Sequence, residues 1–185
     1  MIEIKYKDVV LRNALVGEKE QLFDLITRDE RWTQFNAPYI VYQTPTRDSF
    51  REGLFLEFLT GDKKKIIEYQ GRPVGSVSCY WVDENTRWLE VGIALYDSQQ
   101  WGKGLGQKAL IAWVTHLFQT LELARIGMTT WSGNPRMVAC AQSVGFQIEG
   151  RLRSVRYYQG VYYDSIKLGV LREEWQQLYD TTETV

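Results

Sequence analysis

The sequence predicts an α+β fold, and three observations carry that reading. Stretches alternating apolar and polar residues come in pairs joined by short polar turns, which marks antiparallel hairpins in the middle and at the end of the chain. Runs with apolar residues at helical spacing lie irregularly among them, so a doubly wound parallel sheet is excluded. One strand–loop–helix unit stands apart because its loop, within Asp97–Leu110 (DSQQWGKGLGQKAL), has glycine at every second position: Gly102, Gly104 and Gly106. No repeat, low-complexity tract or linker interrupts the 185 residues, so 1–185 is expected to be one domain with a mixed sheet and flanking helices.

The elements follow in chain order. An opening strand running to about Val10–Leu15 leads to a helix near Glu18–Thr27, an aromatic-rich loop, and a helix near Arg47–Thr60. Strands are expected at Lys65–Tyr69, Pro73–Val82 and Trp88–Leu95, with turns at Gln70-Gly71-Arg72 and Asp83-Glu84-Asn85. From Gln107 the residues Leu110, Trp113, Val114, Leu117 and Phe118 form the buried face of a helix, while Lys108, Thr115 and Gln119 face away. A strand near Arg125–Trp131 precedes a helix near Asn134–Val144, with Pro135 in its first turn and Gly145-Phe146 closing it. The remainder reads as two long strands joined at Gln159-Gly160, within a closing segment Glu149–Trp175.

Composition narrows the function. With 44% hydrophobic and 14% aromatic residues the chain can bury a sizeable core without disulfides or metals. A net charge of −1 argues against nucleic-acid or membrane-surface partners. No apolar run reaches the length of a membrane span, and the start Met1–Lys7 alternates like a strand rather than a signal peptide, so a cytoplasmic protein is expected. Cys79 and Cys140 have no paired ligand spacing and are expected to be buried free thiols, with no metal site. His116 stands alone in its helix and reads as a packed or solvated residue rather than a catalyst.

The glycine loop carries the chemistry. The first turn of a helix has four N–H groups without intrahelical partners and the positive end of the dipole, so it suits a phosphate. A P-loop would need Ser or Thr after its lysine, whereas Lys103 is followed by Gly104. A dinucleotide fingerprint is formally present at Gly104–Ala109, but Tyr96–Lys103 separates it from the strand and the next strand, Ile126–Trp131, has no acid. The loop is therefore read as a pyrophosphate cradle.

A third arrangement fits. Trp101-Gly102-Lys103-Gly104-Leu105-Gly106 resembles the acyl-coenzyme A loop of the GNAT acetyltransferase superfamily, Gln/Arg-x-x-Gly-x-Gly/Ala. Trp101 in the first place is similar to the RimJ/RimL-like branch, where Trp-Gly-Lys-Gly is common; an offset match begins at Gln99. Trp131-Ser132-Gly133-Asn134, Gly145-Phe146 and the Glu149–Trp175 tail, similar to that branch's closing hairpin and final strand, extend the likeness over most of the chain. The resemblance implies a GNAT fold whose strands splay open beside Ile93, with acetyl-CoA as cosubstrate wedged in the split. It implies cofactor contacts from Ile93, Ala94 and Leu95, from Trp101, Gly102, Lys103, Gly104, Leu105 and Gly106, and from Asn134. It places part of an acceptor groove at Asp29–Tyr39, whose acidic and aromatic residues suit a cationic amine or peptide terminus, an ordinary inter-helix loop with a packed Trp32 or Phe35 being the alternative, and it admits a homodimer.

Strand alternation puts Leu89, Val91, Ile93 and Leu95 on one face and Glu90, Gly92 and Ala94 on the other, so small neighbours leave room for a substrate beside Glu90. An ammonium acceptor must lose a proton before it attacks the thioester, and Glu90 is the candidate general base, an exposed structural glutamate being the alternative. The resemblance supports this choice, since the Glu90-to-Trp101 interval equals the base-to-loop interval of histone-acetylating members. The general acid stays open: Ala141 and Met137 stand where relatives carry tyrosine or serine, leaving Cys140, Ser143, Tyr157, Tyr158, Tyr162, Tyr163 or water. The expected activity is acetyl transfer to a primary amine, either a protein N-terminus or a small amine such as an amino acid, polyamine or antibiotic. The absent serine and tyrosine keep a non-catalytic acyl-CoA-binding module as the alternative.

Overall fold

A computed structural model describes residues 3–179. Eight strands form one mixed sheet: β1 (Ile4–Tyr6), β2 (Val9–Arg12), β3 (Lys64–Tyr69), β4 (Arg72–Asp83), β5 (Trp88–Leu95), β6 (Arg125–Trp131), β7 (Gln147–Tyr158) and β8 (Val161–Leu171). Their order across the sheet is β1-β2-β3-β4-β5-β6-β8-β7, and only β5 and β6 are parallel neighbours. The helices are α1 (Lys19–Thr27), α2 (Arg47–Glu52), α3 (Leu54–Thr60), α4 (Leu105–Thr120), α5 (Pro135–Ser143) and α6 (Arg172–Leu178).

Period-two side-chain alternation divides the core between the two faces of the sheet. On one face Ile67, Leu89, Val91, Leu110, Trp113 and Val114 pack together beneath α4. On the other, Ile66 joins Leu22, Ile26, Phe50, Phe55 and Phe58 of α1–α3. Strand β5 follows the expected alternation, with Ile93 and Leu95 packed against the first cluster and Ala94 against the second.

Several boundaries differ from the sequence reading. The opening strand is a tight hairpin, turned by Lys7 at φ 54°. The helix expected over Arg47–Thr60 breaks at Gly53, whose φ of −117° and ψ of −97° are not helical and whose missing Cβ would stand 3.1 Å from the Ser49 carbonyl. A short 3-10 helix, Glu30–Gln34, lies in the aromatic loop. Thr115 does not face away from the core: it is buried and accepts a hydrogen bond from Trp175 Nε1 at 3.0 Å. The reason is α6, a helix where a strand end was expected, which lays Trp175 over that side of α4. The turns Gln70-Gly71 and Gln159-Gly160 form as expected, each with two successive positive φ values.

Arg172, the first residue of α6, closes the far end of α4. Its guanidinium donates to the carbonyls of Phe118 (2.6 Å), in the last turn of the helix, and of Leu121 (2.7 Å) and Leu123 (2.7 Å) just after it. An Arg172→Met chain keeps the stem but removes these three charge-assisted hydrogen bonds, with an expected loss of about 2–4 kcal/mol. Urea denaturation followed by circular dichroism checks this, the midpoint falling while the slope stays constant.

Candidate active site

The site begins where pairing stops. Strands β5 and β6 are in register at Leu89–Ile126 and Glu90–Gly127 and nowhere beyond, although β5 continues to Leu95 and β6 to Trp131. The expected splay beside Ile93 is present, and a cavity of about 1010 Å³ fills it. Of the cofactor contacts expected from sequence, Ile93, Ala94, Leu95, Trp101, Gly102, Gly104, Leu105, Gly106 and Asn134 line this cavity.

The glycine loop forms the entrance to α4. Gly104 is the cap at φ 72°, so the helix begins at Leu105, two residues before the expected Gln107. No side chain caps this end, and its N–H groups remain for a ligand. Gly102 is also left-handed, at φ 76°. A Cβ there meets nothing within 4 Å, and at Gly104 only the Gln107 side-chain oxygen at 3.5 Å, so conformation rather than crowding within the protein calls for glycine. Lys103 turns aside and donates to Gln100 Oε1 at 3.0 Å; it does not line the cavity. Trp101 anchors the loop by donating from Nε1 to the Leu95 carbonyl at 2.9 Å.

The aromatic segment crosses the cleft. The Phe35 carbonyl accepts from both Trp131 Nε1 (3.1 Å) and Asn134 Nδ2 (3.2 Å), and the Phe35 ring packs edge-on to Trp101 at 5.6 Å. Asn134 Oδ1 accepts from Met137 N at 3.1 Å, so this side chain caps α5 with one end and holds the segment with the other. The acids of the segment do not serve the cavity. Asp29 binds Arg31 and Ser98, and hydrogen bonds from Arg31 first and Ser98 second hold its carboxyl well below the usual carboxylate range. Glu30 accepts a hydrogen bond from Thr44. The expectation of acidic groups holding a cationic amine is therefore corrected: this segment supplies rings and a carbonyl.

Glu90 is also placed differently from expectation. It is 1% exposed and stands behind the cavity wall rather than on it. Its Oε2 accepts from Tyr80 Oη (2.7 Å) and Thr129 Oγ1 (2.6 Å), and Lys167 Nζ stands 3.5 Å from Oε1. Cross-strand pairing causes this. Tyr80 lies opposite Glu90 on β4, and Thr129 lies opposite Lys167 on β8, so four polar side chains share one face. Thr129 lines the cavity, which makes its hydroxyl the link between that space and the carboxylate.

Sequence reasoning passed over Thr129, Lys167 and Tyr80, and it read Phe35 and Trp131 only as parts of longer segments. The period-two match of Glu90, Thr129 and Lys167 on adjacent strands was a usable signal, but it needs the strand order to be read. Among the acid candidates, Tyr158 and Tyr163 pack on Trp131 at 6.1 and 4.8 Å, Tyr157 and Tyr162 pair with each other, and none of the four lines the cavity. His116 stacks on Trp113 at 5.5 Å, apart from the site. Cys79 is buried as expected; Cys140 is only partly so and lines the cavity with Ser143.

The comparisons agree with this geometry. Residues 8–147 match the acetyltransferase (GNAT) domain family, and the chain belongs to it. It is a GNAT-family N-acetyltransferase. YdaF of Bacillus subtilis (strain 168) is 25% identical over 178 residues, covering 91% of this chain and 93% of that protein. The ribosomal-protein-serine acetyltransferase of Escherichia coli (strain K12) is 27% identical over 146 residues, covering 77% and 81% respectively. Among solved structures, RimL, a ribosomal L7/L12 alpha-N-protein acetyltransferase in complex with coenzyme A, superposes with a TM-score of 0.72 at 22% identity, covering 92% of this chain and 98% of that one.

Burial pushes the Cys140 thiol up to about 11. It is protonated near neutral pH, and only the thiolate is nucleophilic. Iodoacetamide should label Cys140 slowly at pH 7, with the rate rising about tenfold per pH unit towards that value. Peptide mass spectrometry of a labelling series checks this; rapid labelling at pH 7 would contradict the burial effect.

Proposed function

We propose that the chain transfers the acetyl group of acetyl-CoA to a primary amine, either a protein N-terminus or a small amine, by direct attack while both substrates are bound. The observation that carries this reading is the early end of the β5–β6 pairing, with the uncapped start of α4 at its mouth. An extended acyl arm fits between the parted strands, where backbone groups lack sheet partners. The N–H groups from Gly104 onward suit the pyrophosphate. The chemistry of the ligand therefore matches the donors on both sides of the cleft.

In this reading Glu90 receives the proton of the acceptor through Thr129. The Thr129 hydroxyl takes a proton from the ammonium at the cavity wall and gives its own to Glu90 Oε2, 2.6 Å behind. One proton leaves the nitrogen, one reaches the carboxylate, and the hydroxyl is regenerated. Lys167 Nζ, 2.7 Å from Thr129 Oγ1, fixes the direction of that hydroxyl. Asn134 acts on the cosubstrate arm indirectly, by holding Phe35 across the cleft.

Two results test the reading. Gly104→Val places a branched side chain where the pyrophosphate would lie, and acetyl-CoA affinity measured by calorimetry should fall by about tenfold or more, roughly 1.4 kcal/mol. Unchanged affinity would remove the loop from the binding site. Glu90→Gln and Thr129→Val should each lower the maximal transfer rate by about a hundredfold or more with acetyl-CoA affinity retained, and Thr129→Ser should restore most of it. A Glu90→Gln enzyme at full rate would show that the acceptor arrives neutral or that another residue is the base.

A further inference from the structure

We infer that the acceptor carries a carboxylate, or a comparable anion, within one or two residues' length of its amine. The inference rests on the acetyl-transfer reading above and deepens it by naming the acceptor class. Its basis is the charge around the acceptor end of the cavity. Among the described residues no aspartate or glutamate lines the cavity, and the one charged residue that does is Arg136. Polyamine acceptors need fixed anions to replace their water, and this wall offers none.

Arg156 adds a second cation one ring behind the cavity wall, although it does not itself line the cavity. Its guanidinium lies over the Tyr39 ring at 5.0 Å, and Tyr39 both lines the cavity and packs on Trp131 at 5.8 Å. Arg156 Nε is shielded from solvent and has no hydrogen-bond partner, while Nη1 reaches only the Val155 carbonyl at 3.3 Å. Among the described residues no carboxylate pairs with Arg136 or Arg156, whereas the nearby Arg151 is bound to Asp164. The stacking holds the Arg156 guanidinium beside the Tyr39 ring with no carboxylate paired to its charge, which leaves that charge to an anion reaching the ring.

The geometry sets the spacing. Thr129 and Trp131 lie on the same face of β6 two positions apart, about 7 Å along a strand. An amine at the Thr129 hydroxyl thus puts its next one or two substituents beside Trp131, Tyr39 and Arg156. A cationic rim also disfavours the ammonium form of the acceptor relative to the free amine, the direction that acetyl transfer needs.

The test is an acceptor panel with acetyl-CoA: peptides beginning Ser-Asp-Glu, Ser-Gly-Gly and Ser-Lys-Lys, free glutamate, and spermidine. The acidic peptide or glutamate should exceed Ser-Gly-Gly in kcat/KM by about tenfold, with Ser-Lys-Lys and spermidine lowest. A preference confined to the acidic peptide identifies a polypeptide N-terminus, one confined to glutamate identifies a small amino acid, and either supports the inference. Arg156→Gln should bring the acidic-to-neutral ratio close to one and Arg156→Glu should invert it, a readout that a purely structural role for Arg156 would not move. Best turnover of Ser-Lys-Lys or spermidine would overturn the inference while leaving acetyl transfer intact. No turnover in any arm, with acetyl-CoA binding seen by calorimetry, would overturn the reading on which it rests, and the inference with it.

Discussion

Parallel strands β5 and β6 share two register positions and then separate, and most of the site is organised by that parting. Backbone polar groups inside a protein need partners, so an internal strand that leaves its neighbour must be satisfied from elsewhere. Trp101 supplies one partner, to the Leu95 carbonyl, and β4 satisfies the other edge of β5 over its whole length. The inner edge faces the cavity. The same parting brings the start of α4 to the mouth of the gap, because the loop after β5 has only nine residues, 96–104, in which to turn into the helix.

The segment across the cleft depends on the same gap. A single carbonyl, that of Phe35, takes hydrogen bonds from Trp131 on β6 and from Asn134 at the start of α5, while the Phe35 ring rests on Trp101 of the loop after β5. These three anchors come from the two sides of the opening. The segment is thus held by the elements that line the cavity, and its position is tied to the width of the gap. This coupling explains why aromatic residues concentrate between α1 and α2: flat rings bridge a cleft with few rotatable bonds and a large contact area.

Much of the fold could be read from the sequence because local rules governed it. The hairpin turns at Gln70-Gly71 and Gln159-Gly160, the α5 cap at Asn134 and the apolar stripe of α4 are decided by residues within a few positions of one another. Misreadings arose where distant packing decided. Thr115 looked like a surface residue until α6 covered it, and Gly53 interrupts an otherwise helical run so that α2 and α3 can each bury a phenylalanine on the same face of the sheet. The left-handed turn into α4 was legible because glycine spacing is a local signal. The surroundings of Glu90 were not, since they are assembled from β4, β5, β6 and β8, four strands whose order across the sheet no short-range pattern encodes.

Burying Glu90 has a cost that the fold alone does not justify, since an apolar residue would fill this position at least as well. Its three neighbours offset that cost and also impose an orientation. The Lys167 ammonium has only protons to give, so the Thr129 oxygen must accept from it and the single Thr129 proton is left to point at Glu90. A hydroxyl so arranged has one lone pair remaining, and Thr129 lines the cavity. The wall therefore presents an acceptor, not a donor, to whatever enters. An amine bearing N–H groups satisfies that requirement, and a proton passed to the hydroxyl has a path, already hydrogen-bonded, to a carboxylate shielded from water.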